Sequence, residues 1–240
     1  MQARIYVVCA GISDYPDKEN YLNFTANDAR AICEIYKKNG HAETFLTTDT
    51  RATRANVLAA LKSIFAKASS QDAIMFFFSG HGSTNSFLCY DGHVMHEEIV
   101  GIMEKSHART KIVMANACHS GKVRQAQKDK QKTQKRLKKE KVMFFLSSRG
   151  NELSWGPTNG DNSYFTSFLA RGLRGAADAN KDSIVSAREI YLFVSKGLSK
   201  QTFTVDGETK TGIQHPVMWG NFDHNMPVIS WKRKKLNIDK

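Results

Sequence analysis

Residues 73–78, 111–115 and 142–146 are short, nearly unbroken apolar runs, Ala-Ile-Met-Phe-Phe-Phe, Lys-Ile-Val-Met-Ala and Val-Met-Phe-Phe-Leu. None alternates polar with apolar, so each reads as a strand covered on both faces, which is the habit of a parallel sheet between layers of helix. The rest of the chain supplies the crossovers. A first strand over about 4–10 ends at Gly11. A helix over about 26–39 follows, with Ala29, Ile32, Cys33 and Tyr36 at 3–4 spacing and Gly40 closing it. Residues 43–48 read as a strand. Thr53 caps a second helix whose stripe is Val57, Leu58, Leu61, Ile64 and Phe65. Asp91-Gly92 reads as a tight hairpin, 97–105 as a short helix, and 163–174 and 186–199 as two more before a strand-rich tail. The fold class is α/β.

The 240 residues are 41% hydrophobic and 24% charged, ordinary values for a globular α/β domain. No apolar run nears the roughly 20 residues that cross a bilayer, so no membrane role is expected. The first residues enter a strand-like run without the h-region of a secretory leader, which points to the cytoplasm. The net charge of +12 is concentrated, because residues 122–141 hold ten Lys/Arg against Asp129 and Glu140. The remainder, with 25 basic and 21 acidic residues, is nearly balanced. Without interleaved aromatics this stretch offers salt-sensitive contact with nucleic acid and no specific recognition. It reads as a solvated basic linker between a large segment, 1–121, and a smaller one, 142–240, that completes the same domain. Of four cysteines none forms a CxxC pair, and Cys9, Cys33 and Cys89 read as small buried hydrophobes.

Two strands end in unusual sequences: Phe78-Ser79-Gly80-His81-Gly82-Ser83, and Ala115-Asn116-Ala117-Cys118-His119-Ser120-Gly121. In open α/β sheets, ligands bind beyond the carboxyl ends of the strands. A hairpin and a helix between the motifs suit a right-handed crossover joining parallel neighbours, which sets His81 and Cys118 side by side. A thiol is a nucleophile mainly as its thiolate, and an imidazole stabilises that form or carries its proton to a leaving amine. Backbone N–H groups of Gly82 and Cys118 are candidates for holding an oxyanion. His119 adjoins the thiol in sequence, but neighbouring side chains diverge, so His81 is preferred as its partner.

FSGHGS followed by NACHSG resembles the His and Cys motifs of the caspase-like cysteine peptidases, closest to the metacaspases and their bacterial relatives. Residues 11–16, 22–29, 163–175 and 215–220 resemble other landmarks of that family, so the likeness runs along nearly the whole chain. It implies a three-layer α/β/α sandwich around a six-stranded, mostly parallel sheet, and a Cys118/His81 dyad working through an acyl-enzyme. Cleavage of a protein or peptide substrate after Arg or Lys is implied too. In metacaspases the pocket is acidic, from the Asp of an Asn-Asp motif and the Asp two before the nucleophile. Asp28 keeps the first, Asn116 departs from the second, and Ser79 is a neighbouring candidate. As a first-turn acid, Asp28 also suits the helix dipole. Trp155, in the loop after the fifth strand, is a candidate apolar wall for neighbouring substrate residues, with buried packing as the plainer reading. The family further implies a zymogen matured by cleavage between segments, where the basic linker lies. It leaves monomer and homodimer open. A catalytically silent caspase-like scaffold is the alternative.

No cofactor is required for this chemistry. Asp178, Asn180, Asp182, Ser186 and Glu189 nevertheless occupy calcium-loop positions 1, 3, 5, 9 and 12, with Ser183 where glycine is expected at position 6. A turn rich in Asn and Asp is the plainer reading. Cys89, His93 and His96 form at best an incomplete zinc set.

Overall fold

All three diagnostic runs lie side by side in one sheet. The computed structural model describes residues 3–83, 85–117, 141–148, 156–157, 160–205, 208–212 and 214–231. Its main strands are β1 (Ile5–Gly11), β2 (Ala42–Thr48), β3 (Ala73–Ser79), β6 (Thr110–Asn116), β7 (Val142–Leu146) and β11 (Val217–Gly220). They are ordered β11-β7-β6-β3-β1-β2. The pairs among β2, β1, β3, β6 and β7 are parallel, and β11 alone runs antiparallel, against β7. Two strands, β4 (Ser86–Leu88) and β5 (His93–Met95), make a hairpin beside the sheet. Short pairs also form between β8 (Ile184–Ser186) and β12 (Pro227–Ser230), and between β9 (Thr202–Val205) and β10 (Glu208–Thr211).

Strand periodicity divides the core in two. Tyr6, Val8, Ala10, Phe76, Phe78, Val113 and Phe144 face helices α2 (Arg54–Phe65) and α3 (His96–Lys105). Val7, Cys9, Met75, Phe77, Met114 and Phe145 face α1 (Thr25–Asn39), α4 (Tyr164–Arg171) and α5 (Ala187–Ser199). The result is the expected α/β/α sandwich. A π-helical turn, Gly172–Ala176, continues α4, and Gly175 breaks it with φ of 105°. Cys9, Cys33 and Cys89 are all buried, as their apolar surroundings suggest. Burial pushes the Cys89 thiol up to about 12. Among the described residues no helix is long and apolar enough to cross a membrane.

The hairpin is tight, as expected, but its turn is centred one residue earlier than Asp91-Gly92: the Cys89 N–H donates to the Gly92 carbonyl at 2.8 Å and encloses Tyr90-Asp91. Leu88 and His93 are the last registered pair before it. Neighbouring groups tether it: Asp91 accepts from the Arg54 N–H at 2.7 Å, and the Tyr90 N–H donates to the Ala52 carbonyl at 3.0 Å. Gly92 takes no left-handed conformation there.

Candidate active site

The two motif-bearing strands, β3 and β6, are parallel neighbours whose last registered pair is Ser79 with Asn116. His81 follows Ser79 by two residues, and Cys118 follows Asn116 by two. Cys118 and Trp155 themselves lie outside the described residues, as does 122–140 of the basic stretch.

His81 is gripped by the segment after β1. Its imidazole Nε2 lies 2.8 Å from the carbonyl oxygen of Asn20, in the short 3-10 turn Lys18–Asn20. A carbonyl only accepts, so Nε2 carries the proton and the lone pair of the neutral ring sits on Nδ1. The His81 backbone N–H donates to Tyr15 Oη at 2.9 Å, and the two rings lie 5.0 Å apart. Gly82 forms an isolated antiparallel bridge with Phe87. Its flanks bond instead, Leu88 N–H to the His81 carbonyl at 2.9 Å and Ser83 N–H to the Ser86 carbonyl at 2.8 Å. Gly82 is thus in the non-bonded register, where the backbone groups point away from the partner strand.

Asp28, on the first turn of α1, is fully buried at 0% exposure. Its Oδ2 accepts from Ser79 Oγ at 2.9 Å, Asn116 Nδ2 at 3.0 Å and Ser163 Oγ at 2.8 Å. Its Oδ1 accepts from Asn162 Nδ2 at 3.1 Å and the Ser163 N–H at 3.0 Å. Five donors therefore fill about four lone-pair positions. Burial raises the Asp28 pKa, and the donors offset part of that rise. No cation pairs with Asp28 among the described residues. Asn116 Oδ1 is buried and has no hydrogen-bond partner among them.

Asp28, Ser79 and Asn116, singled out from sequence, thus converge on one point. Asn162, Ser163, Tyr15 and Asn20 were missed as functional candidates. Ser163 carried a readable signal, since a serine before an apolar periodic run is a helix cap, and its Oγ accepts from the Thr166 N–H at 3.2 Å.

The loop from Asp178 to Glu189 uses its acceptors on its own backbone. Asp178 takes the Ser183 N–H at 2.9 Å, Asn180 the Asp182 N–H at 3.0 Å, and Asp182 the Ile184 N–H at 2.8 Å. Glu189 takes both the N–H and the hydroxyl of Ser186, at 2.9 and 2.7 Å. Burial works to raise its pKa, but these bonds hold the carboxyl below its usual range. Ser183 adopts a φ of 71°, the left-handed conformation usually given to glycine. Among the described residues no group of three His, Cys, Asp or Glu side chains is set to hold a metal. The Cys89, His93 and His96 set is divided accordingly, with His96 packed between Phe87 and Phe144 at ring distances of 4.5 and 5.7 Å.

Residues 5–226 match a family model described as the caspase domain. No curated protein matches the chain. A crystal structure of protein GSU0716 from Geobacter sulfurreducens resembles it with a TM-score of 0.67 at 16% identity, covering 95% of this chain and 99% of that one. At that identity the likeness speaks to the fold.

Proposed function

Because this chain belongs to the caspase-domain family, a family of cysteine peptidases, we propose that it is an endopeptidase in which Cys118 is the nucleophile and His81 its proton carrier. One observation carries the reading: Ser79 and Asn116 are a registered pair of neighbouring parallel strands, and His81 and Cys118 each follow their strand's member of that pair by two residues in the sequence. In the proposed reaction the Cys118 thiolate attacks the substrate carbonyl. The acyl-enzyme forms as the amine leaves with a proton from His81, and water then releases the acid. The backbone N–H groups of Gly82 and Cys118 hold the oxyanion, and the non-bonded register of Gly82 supports its part. Neither metal nor organic cofactor has a step in this scheme.

Arg or Lys is the proposed residue before the cut. What favours it is a buried carboxylate, Asp28, with no cationic partner among the described residues. Its donors are neutral, so its charge is dispersed over Ser79, Asn116 and Ser163 and left uncancelled. Asn116 brings one acceptor, Oδ1, and no second charge. Self-cleavage in the basic stretch 122–141 follows from the same preference, since ten Lys/Arg lie there.

A positional fluorogenic peptide library, run with wild type and Cys118→Ala, tests the proposal. Cleavage after Arg or Lys that the substitution abolishes is the expected result. Cleavage after another residue keeps the dyad and discards the role of Asp28. Absence of cleavage, with and without millimolar calcium, makes the silent scaffold the better reading.

A further inference from the structure

We infer that Tyr15 is the positioning residue of the active site, its hydroxyl replacing a backbone hydrogen bond so as to fix His81 and Gly82; the inference rests on the peptidase reading.

In a regular antiparallel pair, residues of the bonded register exchange two direct N–H···O bonds. His81 and Leu88 occupy that register on either side of the Gly82–Phe87 bridge. Only one direct bond is made, from the Leu88 N–H to the His81 carbonyl at 2.9 Å. In place of the other stands the Tyr15 hydroxyl. It accepts from the His81 N–H at 2.9 Å and donates to the Leu88 carbonyl at 2.9 Å. The phenol is wedged between the strands just where the chain leaves the sheet, and it holds apart two backbones that would otherwise close on each other.

The wedge is built. Tyr15 is 2% exposed, and burial raises its pKa, so the hydroxyl remains a donor throughout the working range of a thiol enzyme. Gly80 lets the oxygen in: a Cβ there would stand 2.6 Å from Tyr15 Oη. The segment behind Tyr15 is itself pinned, with the N–H groups of Ser13 and Asp14 both donating to Asp49 Oδ1 at 2.9 and 3.2 Å. That same segment supplies Asn20, whose carbonyl holds the far side of the His81 ring. Tyr15 thus sets the backbone of His81 while Asn20 sets its imidazole, and Gly82 takes its position from both.

Tyr15→Phe keeps the ring and removes a single oxygen. Freed of the wedge, the strands shift and His81 loses its alignment, so kcat falls about 10- to 100-fold while KM stays within about twofold. A second readout needs no substrate: alkylation of Cys118 by iodoacetamide titrates at a higher pH in the variant, because a displaced imidazole no longer supports the thiolate. Gly80→Ala pushes the hydroxyl out from the other side and gives the same two signatures, which covers the case in which the phenylalanine variant fails to fold. A folded variant with a lower melting temperature but unchanged kcat and a superimposable alkylation profile overturns the inference and leaves Tyr15 a packing residue. If wild type cleaves no peptide, the peptidase reading fails on its own account, and the alkylation profiles alone decide for or against Tyr15.

Discussion

Asp28 is a buried acid with no countercharge beside it among the described residues. Burial raises its pKa. A carboxyl with a raised pKa takes up its proton at a higher pH than an exposed aspartate does, so a pocket relying on its charge weakens early on acidification. The proposed preference for arginine over its neutral isostere citrulline, measured as a ratio of kcat/KM values, is expected to fall as pH drops through that raised pKa. The ratio cancels every ionisation that affects both substrates alike. A ratio that stays level down to the ordinary aspartate range, about pH 4, removes Asp28 from substrate recognition. Ser163 has a double duty, capping α4 and donating to this carboxylate. Ser163→Ala costs about 2 kcal/mol or more of unfolding free energy, the sum of a lost cap and a lost bond to a buried charge, measured by urea titration. Asp28, Ser79 and Asn116 were legible in the sequence because each sits in a short motif at a strand or helix end. Ser163 and Tyr15 were harder to read because their partners are 135 and 66 residues away, and hydroxyl geometry leaves no periodic trace.

At the scale of elements, the strongest signal was lack of alternation. Runs such as 73–78 have to be covered on both faces, and the two core clusters provide that cover. The tight hairpin was legible, but not its centring on Tyr90-Asp91, where both turn residues are tethered to Arg54 and Ala52 in a different part of the chain. The junction of β1 with α1 shows how packing closes the gap between element and site. A Cβ on Gly11 would stand 2.3 Å from the Thr25 carbonyl oxygen and 2.7 Å from Ala29 Cβ. Gly11→Ala therefore pushes α1 from the sheet, with a loss of about 1–3 kcal/mol in chemical denaturation. Because α1 bears Asp28, the proposed arginine preference predicts that the variant also loses selectivity. A variant as stable and as selective as wild type contradicts the close approach.

The molecule as a whole is joined across its segment boundary by the sheet. Five residues of β7 register with β6, and β11 extends the same sheet from the other side of β7. Such a seam does not depend on the covalent linker. A single tryptic nick within 122–141 leaves one gel-filtration peak at the size of the intact chain and two bands on a denaturing gel. Separation of the fragments in native buffer excludes a shared sheet of this kind. The sandwich and its sheet composition were legible because hydrophobic pattern and family likeness agree. Strand order was less so, since β11 arrives from far along the chain to pair antiparallel.

The convergence on Asp28 also bears on the order in which the protein is made. Two of its five donors, Ser79 and Asn116, precede the basic stretch, while Asn162 and both groups of Ser163 come after it. A growing chain ending near residue 121 already contains His81 and Cys118 but lacks most of what holds its carboxylate in place. Under the peptidase reading, selectivity is the last property to emerge from the ribosome. Under that reading, the pocket is complete only once the second segment has docked.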